Sequence, residues 1–278
     1  MIRGIVGLLR GKPVHPVGPD GRMQLSDHFR EARARLLRIV LLCVVVFIIA
    51  IFQFDLLFDI VYGPYHATLD VLPEDTVTWQ TTSGAGGGLM LYLRLAAFAT
   101  AVVTAPYWLY QIWAFLLPGL HAHERKWSIL FAVIAGPLFI SGVLLGYFTF
   151  PKALEILIGF NPPTVVNLVE STEYLTLFTR TMLVFGLAFE IPVFVVLLNF
   201  AGVISGKQLA QYRAWIIVGT FVFAAVATPS ADPFTMTFMA VPMVALFLVS
   251  EVIARLNDRR RAARSPNAGL SPDEASVI

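Results

Sequence analysis

Pro106-Tyr-Trp-Leu-Tyr-Gln-Ile-Trp-Ala-Phe-Leu-Leu-Pro-Gly-Leu-His-Ala-His-Glu-Arg-Lys-Trp127 closes an apolar run and turns into a short loop, where one carboxylate, Glu124, stands beside two cations, Arg125 and Lys126. The run it closes begins near residue 89 and carries a single charge, Arg94, before the loop. A bilayer is crossed by roughly 20 apolar residues, so this is a membrane span with its exit loop attached. Five further runs read the same way, near 36–54, 128–150, 174–200, 212–227 and 233–254. The fold class expected is therefore an all-α polytopic membrane protein with six transmembrane helices. The whole chain agrees: of 278 residues, 57% are hydrophobic and 14% charged, against roughly a quarter charged in soluble domains.

Charge placement sets the orientation. The formal net charge is only +2, yet seventeen of the 20 Lys and Arg residues fall in the N-terminal arm, the loops at 118–127 and 201–213, and the tail. The intervening loops hold Lys152 and, between the first two spans, the acids Asp55, Asp59, Asp70, Glu74 and Asp75. By the positive-inside rule both termini are cytoplasmic. The loops at 55–88 and 151–173 are long, which suggests an extracytoplasmic cap. Three segments follow: a flexible cytoplasmic arm at 1–22, a six-span membrane domain at 23–254 and a basic-then-polar cytoplasmic tail at 255–278. The apolar part of the arm, 5–9, is too short for a signal-peptide core. The lone Cys43 lies in an apolar run and reads as filler.

The segment before the first span, Met23-Gln-Leu-Ser-Asp-His-Phe-Arg-Glu-Ala-Arg-Ala-Arg-Leu36, places Leu25, Phe29, Ala32 and Leu36 on one helical face. A helix lying in the cytoplasmic interface is expected. Glu31 has two readings: an i,i+4 pair with Arg35, or a ligand-binding carboxylate. Glu124 likewise is either a solvated loop acid neutralised by Arg125 or a partner to Glu31. Two carboxylates together would grip guanidinium groups bidentately, which lysine does less well. Glu190, in Phe185-Gly-Leu-Ala-Phe-Glu-Ile-Pro-Val193, falls mid-span, where a charge costs at least roughly 2–3 kcal/mol. It reads as an internal structural hydrogen bond or as a polar site for substrate or partner. Pro192 is expected to kink that span. Arg94 and Arg180 are expected to snorkel or to pair with Glu170 or Glu173, and Glu251 to snorkel. Pro64 reads as a turn and Asp232 as a solvated hairpin acid.

Other chemistries lack their residues. Ser83-Gly-Ala-Gly-Gly-Gly88 has no Lys-Ser/Thr ending and lies in an outer loop, so it is no phosphate loop. His121 and His123 do not have zinc-motif spacing, and neither metal nor cofactor is expected. The spans contain no histidine and no paired aspartates for an intramembrane enzyme.

Taken in order, the 23–36 segment, Tyr110-Gln-Ile-Trp-Ala-Phe-Leu-Leu-Pro-Gly-Leu120 with His123-Glu-Arg-Lys126, Phe185-Gly-Leu-Ala-Phe-Glu-Ile-Pro192 and Thr228-Pro-Ser-Ala-Asp232 resemble TatC, the multispan subunit of the twin-arginine protein translocase. The resemblance runs from about residue 23 to 254. It implies a glove-shaped, six-span protein of the bacterial cytoplasmic membrane, with an extracytoplasmic cap and both termini inside. It implies a non-enzymatic receptor for signal peptides bearing two adjacent arginines, which exports folded proteins on the proton-motive force. Glu31 and Glu124, with Phe115, Arg125 and Lys126 alongside, resemble the family's twin-arginine contacts. Glu190 resembles its intramembrane acid facing single-span TatA/TatB-type subunits or the signal helix. Pro64 and Asp232 resemble outer positions needed for transport. The partners implied are signal peptides, single-span subunits, lipids and further copies of the chain, with no nucleic acid. The sequence departs from the family's pattern at Phe29 and Ala32, which replace leucines, and at Met236, which replaces a polar glutamine. The alternative is a proton-coupled small-solute transporter with Glu190 as carrier, for which inverted repeats are expected; none is evident in the sequence.

Overall fold

The computed structural model describes residues 25–73, 78–82, 84–116, 125–161, 166–200, 202–227 and 233–263. In chain order the described elements are α1 (Leu25–Ile51), α2 (Phe54–Leu69), β1 (Thr78–Thr81), α3 (Gly87–Val103), α4 (Ala105–Leu116), α5 (Arg125–Gly159), β2 (Asn167–Glu170), α6 (Ser171–Phe189), α7 (Ile191–Phe200), α8 (Gly206–Gln211), α9 (Arg213–Ala227) and α10 (Pro233–Ala263).

Four stretches are long and apolar enough to cross a membrane: Ser26–Ile51, Val133–Gly159, Ser171–Phe200 and Met236–Ala263. Gly87–Val103 with Ala105–Ile112, bent by 57°, makes a fifth if taken as one span. Arg213–Val226 is a shorter apolar helix. The bend has a local cause. Pro106 has no N–H to continue the ladder of α3 and its ring crowds the preceding turn. Tyr107 and Trp108 both donate instead to the Thr104 carbonyl, and Trp108 Nε1 donates to Ala101 O at 3.0 Å.

Two expectations change here. The interfacial arm helix is not a separate element: α1 is continuous from Leu25 to Ile51, because no proline or glycine interrupts the sequence between them. Phe29 and Leu36 point outward, 66% and 61% exposed, while Asp27 and Ala34 face the protein. Pro64 lies inside helix α2, not in a turn. Its side chain is buried, and its carbonyl accepts from Thr68 Oγ1 at 2.8 Å.

The main core joins α2, α3, α5 and α6 through Tyr62, Tyr65, Leu95, Phe150, Tyr174 and Phe178. Its rings pack stacked or edge-on, for example Tyr62 on Tyr174 at 4.8 Å. Tyr174 Oη donates to Val61 O at 2.8 Å and Tyr62 Oη to Ser171 O at 3.3 Å, so the buried phenols of these two rings are satisfied. Burial pushes the Tyr62 and Tyr65 phenols above their ordinary range and keeps both neutral. The long segments between spans are therefore structured. A two-stranded parallel pair, β1 with β2 in register Thr78↔Asn167, ties them together. At 35 residues α5 is about 52 Å long, more than the roughly 30 Å hydrocarbon core.

Close helix approach sets α5 against α6. A Cβ on Gly142 would lie 2.5 Å from Phe185 O, and one on Gly186 would lie 2.6 Å from the Phe139 ring. Gly142 and Gly146 form the small-xxx-small spacing that lets membrane helices touch backbone to backbone. Gly142→Ala is expected to destabilise the protein by about 1–3 kcal/mol, because the obstructing atom is backbone. Thermal unfolding in detergent measures it; an unshifted midpoint would contradict this packing.

Candidate functional site

The start of α1 and the end of α4 meet in one corner. Positions 28, 31 and 35 share a face of α1, and 111 and 115 share a face of α4. The His28 and Phe115 rings stack at 4.4 Å with planes 18° apart. Arg35 bridges the two helices. Its Nε and Nη2 donate to Glu31 Oε1 at 2.9 and 2.5 Å, and its Nη1 donates to Gln111 Oε1 at 3.0 Å. The Glu31 and Arg35 side chains are 13% and 19% exposed, and Gln111 is buried. The corner thus holds a carboxylate, a guanidinium, a carboxamide and an aromatic wall, a set suited to cationic groups with flat faces. The i,i+4 reading of Glu31 is borne out in geometry. Gln111 was not singled out by sequence; its signal was a carboxamide inside an aromatic-rich apolar run.

Phe115 is placed where the 117–124 segment departs, a stretch that lies outside the described residues together with Glu124. Arg125 and Lys126 open α5 as backbone. Asp232 is also outside the described residues.

Glu190 sits between α6 and α7 and is 9% exposed. The helix is interrupted at Glu190, two residues before Pro192, which has no N–H to continue the ladder. The Glu190 N–H donates to Leu187 O at 3.0 Å, one residue tighter than the α-helical pattern, and its own carbonyl accepts from the Phe194 N–H at 2.9 Å. Phe185 and Val193, which flank Glu190 in the chain, belong to two apolar clusters, one holding Phe185, Met239 and Ala240 with Met236 packed against it, the other holding Phe139, Val193 and Leu197. Arg94 donates to Thr176 Oγ1 at 3.2 Å.

A second polar cluster, unforeseen in the sequence, joins α7, α8, α9 and α10. Glu251, 2% exposed, does not snorkel. It accepts from Arg213 Nε at 2.9 Å and Nη2 at 2.6 Å, and pairs with Arg255 at 2.5 Å. Snorkelling suits long cations better than a carboxylate that two guanidiniums can reach. Nearby, Asn199 Nδ2 donates to Asp258 Oδ1 at 2.8 Å, Asn257 Nδ2 donates to Asn199 Oδ1 at 2.8 Å, and the Gly206 N–H donates to Asp258 Oδ2 at 2.6 Å. The arginine-rich stretch after 254 accordingly continues as helix to Ala263.

Residues 27–242 match the family model described as Sec-independent protein translocase protein (TatC). A protein of that name from Frankia casuarinae is 39% identical over 269 residues, covering 93% of this chain and 74% of the relative. One from Escherichia coli is 30% identical over 232 residues, covering 83% of this chain and 88% of the relative. A crystal structure described as the twin-arginine translocase receptor TatC superposes with a TM-score of 0.71 at 29% identity, covering 84% of this chain and 100% of that one. The same receptor in the detergent DDM gives 0.71 at 29% identity, over 82% and 99%.

Proposed function

The chain belongs to the TatC family of Sec-independent protein translocase proteins, and on that premise we propose that it is the signal-peptide receptor and core subunit of a twin-arginine translocase. It is a multi-pass membrane protein that serves protein transport. In this reading it is non-enzymatic and exports folded proteins across the cytoplasmic membrane on the proton-motive force. It has six spans, with the bent pair at 87–112 as the second and Arg213–Val226 as the fifth, and both termini are cytoplasmic. The bias of cations toward the arm, the two inner loops and the tail supports that orientation.

The observation that carries the reading is the corner where Glu31 is held by Arg35, itself anchored on Gln111, and His28 stacks on Phe115 at the end of α4. Glu124 follows Phe115 in the sequence, and in this reading the twin-arginine site combines Glu31 and Glu124 with Phe115 as wall and Arg125 and Lys126 at the rim. Glu190 contacts single-span TatA/TatB-type subunits. Pro64 and Asp232 act on the outer side, where a cap covers the bundle, and copies of the chain self-associate among membrane lipids. Removing a charged hydrogen-bond partner costs about 1.5–3 kcal/mol. Glu31→Ala and Glu124→Ala are therefore each expected to weaken binding of a twin-arginine signal peptide by about tenfold or more. Changing the peptide's arginines to lysines is expected to weaken it too. Unchanged affinity in both variants would sink the assignment.

A further inference from the structure

Arg35 occupies Glu31 in the way an incoming arginine would. Two of its nitrogens converge on Oε1, and a third is anchored on a buried carboxamide of the other helix. An exposed i,i+4 pair would be loose and screened; this one is largely enclosed and tied at both ends. Among the described residues Glu31 and Arg35 form the ion pair of this corner, with His28 stacked on Phe115 and Gln111 accepting from Arg35 Nη1. Resting on the signal-peptide reading above, we propose that Arg35 is an internal competitor. Its guanidinium stands in for the ligand's in the empty receptor and must swing off Glu31 before a signal-peptide arginine takes the carboxylate.

The consequence is quantitative. Only the fraction of receptors with Arg35 displaced is competent, and apparent affinity falls by that fraction. The cost is the same for any peptide that uses Glu31, so Arg35 sets affinity and leaves the arginine-to-lysine preference untouched. Displacement precedes binding, so the cost appears in the association rate and the dissociation rate stays as it is. Gln111, by fixing Nη1, holds the competitor in place.

The test is binding kinetics of a synthetic twin-arginine signal peptide, and of its twin-lysine counterpart, on the full chain in detergent. Arg35→Gln is expected to speed association about fivefold with dissociation unchanged, and the ratio of affinities for the two peptides is expected to stay constant. Gln111→Met keeps Arg35 and its charge and is expected to give a smaller gain of the same kind; it carries the test if Arg35→Gln does not fold. Weaker or unchanged binding in both variants, or a gain confined to dissociation, would overturn the proposal. Glu31→Gln separates the two levels: if it leaves affinity unchanged, the site assignment itself fails. If it weakens binding while Arg35→Gln does not strengthen it, only the competitor fails.

Discussion

Replacing both Arg213 and Arg255 by glutamine is expected to cost about 3–5 kcal/mol of stability, far more than either change alone. The asymmetry of exposure is the reason. The Glu251 side chain is 3% exposed, whereas the two arginines that reach it are 44% and 45% exposed. Losing one arginine leaves the carboxylate with the other. Losing both strands a buried charge, whose desolvation is no longer offset. Losing the acid instead leaves two guanidiniums that water already reaches, so Glu251→Leu is expected to be mild. Adding Glu251→Leu to the double variant is expected to restore most of the loss. Thermal unfolding of the wild type, the two single-arginine variants, the double variant, Glu251→Leu and the triple variant in one detergent gives the couplings directly; additive effects of the two arginine changes would show that Glu251 is not held by them jointly.

Glu190→Ala is expected to leave twin-arginine peptide binding within about twofold while reducing assembly with single-span subunits by about two orders of magnitude. A mid-span carboxylate costs roughly 2.5–3.5 kcal/mol on insertion scales, which converts to about a hundredfold at 1.4 kcal/mol per decade. A contact that offsets such a cost is expected on the same scale. The corner of Glu31, Arg35 and Gln111 lies on other helices, which is why peptide binding is expected to survive. Crosslinking to co-expressed single-span subunits reads the first quantity and peptide titration the second. Normal crosslinking would place the role of Glu190 elsewhere.

Much of the architecture was legible because the bilayer imposes a length and a sign. Apolar runs of about 20 residues have few alternatives to a spanning helix, and Pro192 marks the interruption at Glu190; the 57° bend beside Pro106 was not read from the apolar run that contains it. Legibility ended where position along the chain did not fix direction. The spacing of Leu25, Phe29, Ala32 and Leu36 identified an apolar face but not what it meets; in α1 that face turns outward at Phe29 and Leu36. The outer segments looked like loops because their acids and glycines hide a helix at Phe54–Leu69 and a four-residue strand pair whose partners are far apart in sequence.

The sites divide in the same way. Sequence alone identified Glu31, Glu124 and Glu190 as acids in costly or unusual places, because a carboxylate in a cationic rim or an apolar span is conspicuous by type and position. It also determined the membrane class and the family, which rest on hydrophobic length and on motifs within single segments. Only the tertiary structure decided that Glu31 is held by Arg35 against Gln111, 76 residues beyond that arginine, and that Glu251 is buried under Arg213 and Arg255. Pairings of this kind depend on which helices pack together and on how each is rotated about its own axis. Helix rotation is fixed by close fits such as Gly142 against the Phe185 backbone, and a linear pattern carries no term for the neighbour that a face will meet.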